Sequence, residues 1–281
     1  MKSIVNIMEL NQSLGNADLI IVDCRFDLAN TDYGLNAWKQ GHIPDAIYAN
    51  LDHDLSGPVT TNTGRHPLPD ADAFRRLLAN WGLNKHSHVV AYDDGAAMFA
   101  SRLWWLLRWY GHQQVSVLDG GWNAWQAAGL AQQADALKAP QVTDYPENLQ
   151  PDLAWLVDAD SLSQQLQQGV SLWDARDPRR FSGEIEPIDI KAGHIPGAVN
   201  VPFMDNLQQG GFLSTEALRA RFDALLGDTR AEEVIHMCGS GVTACQNLLA
   251  MEIAGYKPGR LYAGSWSEWI TDDSRPVETG C

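Results

Sequence analysis

Gly193-His194-Ile195-Pro196-Gly197-Ala198 is a phrase the chain has already used once, as Gly41-His42-Ile43-Pro44-Asp45-Ala46, at an offset of 193 − 41 = 152. Upstream, Ile21-Val22-Asp23-Cys24-Arg25 is answered by Leu172-Trp173-Asp174-Ala175-Arg176, at 174 − 23 = 151. Downstream, Leu118-Asp119-Gly120-Gly121-Trp122-Asn123-Ala124-Trp125 is answered by Tyr262-Ala263-Gly264-Ser265-Trp266-Ser267-Glu268-Trp269, at 266 − 122 = 144. Ordered matches at nearly one spacing mark a duplicated domain, and a repeat of this length decides the fold before any single element does. The predicted organisation is a first domain over 1–130, a linker over 131–151 and a second domain over 152–281. The linker holds Gln132, Gln133, Pro140, Pro146 and Pro151 and lacks an apolar period. The fall in offset gives the first half about eight extra residues between Ala46 and Asp94, and the turn-rich run from Ser56 to Gly64 is the natural place for them.

Short apolar runs at Leu19–Val22, Val89–Tyr92 and Val115–Leu118 read as buried strands, with counterparts at Val170–Trp173, Val199–Val201, Val234–Met237 and Arg260–Tyr262. Helical spacing covers Ala71–Trp81, Ala97–Tyr110, Thr215–Leu226 and Thr243–Ala254, each stopping near a glycine: Gly82, Gly111, Gly227 and Gly255. Alternation of the two predicts an α/β fold, each half a mostly parallel sheet with helices on both faces. In such sheets ligands sit outside the carboxyl ends of the strands, here the loops after Val89–Tyr92 and Val234–Met237.

Composition narrows the function. The chain of 281 residues is 45% hydrophobic, enough for a core in each half. Asp and Glu number 35 against 20 Lys and Arg, a formal charge of −15. That field repels phosphate backbones and anionic lipid, so neither nucleic acid nor membrane is an expected partner. A small anionic substrate needs a local positive site. Cys24, Cys238, Cys245 and Cys281 form no Cys-x-x-Cys pair, and no metal or cofactor is expected. The apolar start is broken by Asn6 and Glu9, unlike a signal peptide, and no run of about 18 apolar residues exists. A cytoplasmic location is the expectation, where a catalytic thiol stays reduced.

One loop carries chemistry. Cys238-Gly239-Ser240-Gly241-Val242-Thr243-Ala244 follows a predicted strand and opens a predicted helix. Glycines let amides turn inward and the helix start adds positive potential; both favour thiolate over thiol, and the thiolate is the nucleophile. Gly239, Gly241, Val242 and Thr243 are thus candidates for holding an anion beside the sulfur. The corresponding position in the first half is read as Asp94, since 238 − 94 = 144, and a carboxylate there makes that half catalytically silent. Asp94 is then a structural residue or a cap for the next helix. A Cys-x5-Arg phosphatase loop needs arginine where this chain has Ala244, and a Walker loop needs a lysine absent between Val234 and Tyr256. A Cys–His protease using His236 or His66 is disfavoured by the tight glycine loop.

On these residues the chain resembles the tandem-domain rhodaneses, over nearly its whole length. The repeated Asp-x-Arg and Gly-His-Ile-Pro, the cysteine loop and the closing Gly-Ser-Trp-Ser-Glu-Trp all fit. The resemblance implies two rhodanese-like domains and a sulfurtransferase that moves a sulfane sulfur through a Cys238 persulfide by ping-pong. The loop is similar to that of members using 3-mercaptopyruvate. Members preferring thiosulfate carry basic residues right after the cysteine, where this chain has Gly239 and Ser240. The implied acceptor is a thiol, such as thioredoxin or a small thiol, or cyanide. The family's substrate arginine falls on Arg180, with Arg179 beside it, and arginine suits a carboxylate through its two-donor fork. A second family arginine after Glu-Pro is missing: Glu186-Pro187 is followed by Ile188, leaving Lys191 as a substitute or no second cation. The family's proton-handling triad falls on Ser240, on His66 before Pro67-Leu68-Pro69, and on Asp52, with Asp54 as its alternative. The repeated Asp23/Arg25 and Asp174/Arg176 read as structural pairs, and Trp122, Trp125, Trp266 and Trp269 as core.

Two other readings remain open. A thiosulfate:cyanide sulfurtransferase would use the same cysteine. A sulfur carrier that feeds a docking partner would also load one sulfur. A redox switch between Cys238 and Cys245 is disfavoured, since the two lie about two helical turns apart.

Overall fold

In a computed structural model the protein is described over residues 2–134 and 142–280; the middle of the expected linker, Pro140 included, and Cys281 lie outside them. The first half contains β1 (Ile4–Val5), α1 (Ile7–Ser13), β2 (Leu19–Asp23), α2 (Tyr33–Gln40), β3 (Ile47–Tyr48), α3 (Ala71–Asn80), β4 (His88–Tyr92), α4 (Met98–Trp109), β5 (Val115–Leu118) and α5 (Gly121–Ala127). Its sheet is parallel throughout, in the order β1-β5-β4-β2-β3. The second half contains α6 (Ala159–Gln167), β6 (Leu172–Asp174), α7 (Pro178–Phe181), β7 (Ala198–Asn200), β8 (Leu207–Gln208), β9 (Gly211–Phe212), α8 (Thr215–Leu226), β10 (Ile235–Met237), α9 (Thr243–Ile253), β11 (Arg260–Leu261) and α10 (Ser265–Trp269). Its main sheet is again parallel, β11-β10-β6-β7.

The central strands are buried at consecutive residues, Val89 to Tyr92 in β4 and Ile235 to Met237 in β10. Side chains alternate between faces along a strand, so burial without alternation means cover on both sides. One core gathers Ile21, Val90, Tyr92, Leu118, Trp122 and Trp125. The other gathers Leu172, Ile235, Met237, Tyr262, Trp266 and Trp269.

Why the repeated motifs travel together is visible in each half. Arg25 pairs with Asp23 and donates from Nη2 to the carbonyl of Gly41 at 2.7 Å, with its guanidinium 4.7 Å above the Trp122 ring. Arg176 does the same with Asp174, Gly193 (2.8 Å) and Trp266 (4.8 Å). Each knot joins three distant segments, and a buried arginine needs a paired carboxylate to offset the loss of its hydration. His42 and His194 stack on Trp38 and Phe181 and share hydrogen bonds with their carbonyls. No metal-sized group of three ligating side chains occurs among the described residues.

Two compact units emerge, and they do not follow the chain strictly. The first comprises 1–57, 69–152 and 209–212; the second comprises 58–68, 153–208 and 213–281. The first unit keeps the described residues up to Asp152, where the sequence placed a linker. It also takes Gly211 and Phe212, whose amide reaches Asp119 Oδ1 at 2.9 Å. Part of the run that the offset marked as an insertion, together with the residues just after it, belongs to the second unit. No helix among the described residues is long and apolar enough to cross a membrane.

Candidate active site

Cys238 follows β10 directly and is 2% exposed. Its backbone is pinned on both sides by the closing Gly264-Ser265-Trp266-Ser267 run. The Cys238 amide donates to Ser265 Oγ at 3.1 Å, Trp266 N donates to the Cys238 carbonyl at 3.1 Å, and Ser267 N donates to the Gly239 carbonyl at 2.9 Å. Ser265 holds the left-handed conformation, φ 55°, which a non-glycine residue adopts only when its surroundings impose it. Its hydroxyl supplies the reason, donating to Tyr262 O at 2.9 Å while accepting from Cys238. Gly241 must be glycine: its φ is +74°, and a Cβ there would lie 2.2 Å from the carbonyl oxygen of Ala263. Val242 caps α9 and Thr243 begins it, so the loop opens onto a helix N-terminus.

The segment 58–68 lies in the same unit and brings two side chains to this loop. The Arg65 amide donates to Ser267 Oγ at 3.0 Å, and Gly64 passes so close to Gly264 that a Cβ would come within 2.5 Å of its carbonyl. Next along, His66 Nδ1 and Ser240 Oγ share a hydrogen bond of 2.7 Å, both side chains buried. His66 and Ser240, both expected members of the triad, therefore meet within the second unit. Asp52 falls in the first unit, in a turn where its amide donates to Asn50 Oδ1 at 2.9 Å; Asp54 in the same turn accepts from the Asn50 amide at 2.7 Å. Burial pushes both carboxyls above the usual range.

The cations redistribute. Arg180 is largely buried and faces the loop: a Cβ on Gly239 would lie 3.6 Å from its terminal nitrogens. Glu186 takes its Nε (3.1 Å) and Nη2 (2.8 Å), and Asp189 accepts from Nη2 at 3.0 Å. Arg179, expected beside it at the substrate, is instead 59% exposed and paired with Glu184 on the surface. This corrects that assignment: α7 turns the two adjacent side chains in different directions. Lys191 does not serve as the second cation either, being engaged with Asp273 at the surface. The residue missed in the sequence is Arg65. Its guanidinium pairs with Asp189, and Nη2 would lie 2.9 Å from a Cβ on Gly239. Burial and the like charge of Arg180 hold its pKa below the usual value, while Cys238 and Glu186 draw it back up. A signal was available: it is the lone Arg or Lys of segment 58–68 in an acidic chain, next to the predicted His66.

The first-half equivalent of Cys238 is Asp93 rather than Asp94. Asp23 pairs in register with Tyr92 as Asp174 does with Met237, and Trp122 N donates to Asp93 O as Trp266 N does to Cys238 O. Asp94 matches Gly239 in this register, and its carboxylate accepts from Tyr33 Oη at 2.8 Å instead of capping. The cap is Asp93, whose carboxylate collects the amides of Gly95, Ala97, Phe99 and Ala100 at 2.9–3.3 Å. His236, weighed as a partner base, is buried in the core against Trp173, and desolvation lowers its pKa to about 3.

The family model for the rhodanese-like domain matches residues 7–128 and again 158–272. The chain belongs to the rhodanese family. This rhodanese-family protein is 50% identical over 283 residues to a probable 3-mercaptopyruvate sulfurtransferase of Pseudomonas aeruginosa, covering 99% of this chain and 98% of that one. It is 38% identical over 268 residues to a putative thiosulfate sulfurtransferase, SseB, of Mycobacterium tuberculosis, covering 92% and 90%. Among solved structures it is similar to the 3-mercaptopyruvate sulfurtransferase from Leishmania major, with a TM-score of 0.84 and 31% identity over 95% of this chain and 74% of that one. Both named donors thus occur among the relatives of this rhodanese.

Proposed function

We propose that this rhodanese-family sulfurtransferase takes sulfur from 3-mercaptopyruvate, holds it as a persulfide on Cys238 and delivers it to a thiol or to cyanide. The Cys238 thiolate attacks the donor sulfur, and the carbon–sulfur bond breaks. The electron pair passes to the methylene carbon as the enolate of pyruvate. The proton of the donor thiol ends on that carbon, leaving pyruvate and an anionic persulfide. An acceptor thiolate then attacks the outer sulfur of the protonated persulfide, and Cys238 returns as thiolate. Amides at the head of α9 and the guanidiniums over Gly239 favour the anionic sulfur. The first half, with a carboxylate in place of the thiol, performs no transfer.

The observation that carries the choice of donor is the 2.7 Å contact between His66 and Ser240 beside Cys238. A carbon leaving group must gain a proton, and a buried hydroxyl–imidazole pair can move it. Thiosulfate releases sulfite, a stable anion that needs none. The 50% identical relative named for 3-mercaptopyruvate supports the same reading. Side-by-side kinetics with the two donors test it, and a higher kcat/KM for thiosulfate overturns it. Cys238→Ser should abolish sulfur uptake, read as loss of the one-sulfur gain in intact mass after mixing with donor.

A further inference from the structure

The segment 58–68 has two sides. His66 turns to Ser240 and Arg65 to Gly239, whereas Gly64, Pro67 and Leu68 line a cavity of about 400 Å³. The rest of its wall comes from the run leading into α6 and from the residues after β11, so the whole cavity lies within the second unit. A volume of this order suits a small organic molecule. Leu156 and the buried Val157 continue the apolar lining, and Leu153, 72% exposed, extends it to the surface. Two carboxylates interrupt this lining, Asp158 and Glu268. Glu268 folds back over Gly264, where it leaves no room for a Cβ. Burial pushes its carboxyl up, as do the charges of Asp158 and Asp160, while Tyr262 and Arg275 draw it down. Arg275 nevertheless turns its guanidinium elsewhere, to Asp160 and Asp272 at 3.7 Å each and to the Glu268 carbonyl at 3.3 Å. Asp158 spends Oδ1 on the Ser161 amide at 2.7 Å, capping α6. Neither lining carboxylate has an ion-pair partner among the described residues, and partly desolvated like charges left unanswered are costly.

We propose that this cavity is a binding site for a small organic cation, an amidinium, guanidinium or primary ammonium on an apolar body, whose charged end pairs with Glu268 and Asp158 while the body rests on Leu68, Leu156 and Val157. A ligand of this kind is opposite in sign to the anionic sulfur donor, so the two do not compete for the guanidiniums over Gly239. The cavity nevertheless shares backbone with the cysteine loop. Gly264 lines it, and the next residue, Ser265, takes the Cys238 amide.

The test compares benzamidine with benzamide, two planar molecules of nearly one shape that differ in charge, by the Kd of each for the full chain in an NMR titration. Benzamidine should bind about tenfold or more tightly than benzamide, as a charge-assisted pair with a carboxylate requires. Glu268→Gln should bring the two within about threefold of each other while the affinity for benzamide stays nearly unchanged. Asp158→Asn, which preserves the helix cap, should lower the ratio part of the way. Equal affinities in the unmodified protein overturn the proposal. So does an unchanged ratio in Glu268→Gln, which would put the cation elsewhere on a chain with 35 Asp and Glu. If Glu268→Gln fails to fold, Asp158→Asn decides on the same ratio, and an unmodified value there overturns the site.

Discussion

Asp93 displays what the head of these loops is shaped to hold. Four backbone amides converge on its carboxylate at the start of α4, and burial raises its pKa while those amides pull it down. In the second unit the register position belongs to Cys238, so an anion on sulfur finds a helix start in the same place. Ser240, hydrogen-bonded to His66, offers a test of the proposed proton transfer. Ser240→Ala should cut kcat for 3-mercaptopyruvate by about 10²-fold or more, as removal of a general acid–base group does. Turnover of thiosulfate should stay within about threefold of wild type by the same reasoning. Parallel losses would show that the His66–Ser240 pair does not serve the leaving group. The meeting of His66 with Ser240 of the cysteine loop was legible because each sits in a motif. Asp93 was misread by one residue because the offset came from the tryptophan pair, while the loops differ in length by one between strand and tryptophan. That Arg65 reaches Gly239 was not legible, because it depends on which unit its segment packs into, and no local pattern encodes that.

At the scale of elements, the cysteine loop works because two turns are tightly stitched. Gly241 has neither room nor a favourable φ for a side chain, with Ala263 O 2.2 Å from where a Cβ would sit and φ at +74°. Gly241→Ala should therefore cost about 1–3 kcal/mol in the second unit's stability and lower sulfur uptake by both donors alike. Thermal unfolding together with single-turnover persulfide formation checks this; unchanged values would mean the loop tolerates rearrangement. The predicted strands β2, β4, β5, β6, β7, β10 and β11 were legible as short apolar runs, and helices α3, α4, α8 and α9 as helical spacing that stops near a glycine. The two-residue strands β1 and β3 and the four-residue helix α7 left no period to read. Yet α7 decides which arginine faces the site, because it sends Arg179 to solvent and Arg180 inward.

For the whole molecule, stability belongs to two units and need not be lost in one step. His236 gives the second unit an acid dependence. In the folded state its pKa is about 3, against about 6.5 in an unfolded chain, so native protein refuses a proton that the unfolded chain accepts. Stability is complete above about pH 6.5 and declines as pH falls toward 3, by up to about 1.4 kcal/mol per pH unit. Replacing the ring with an apolar one, His236→Phe, should flatten that decline in thermal unfolding between pH 7 and pH 4. An identical slope would assign the effect to other groups. The duplicated plan was legible from the repeated motifs, but the exchange of segments was not, because packing rather than sequence order sets the units.

That exchange has a consequence for descent. A copied gene segment that loses its chemistry ordinarily decays, since nothing selects for it. Here the first half of the chain lends the strip bearing Arg65 and His66 to the unit that holds Cys238, so trimming the first copy would take part of that unit's packing with it. The two halves are thereby bound to be inherited together.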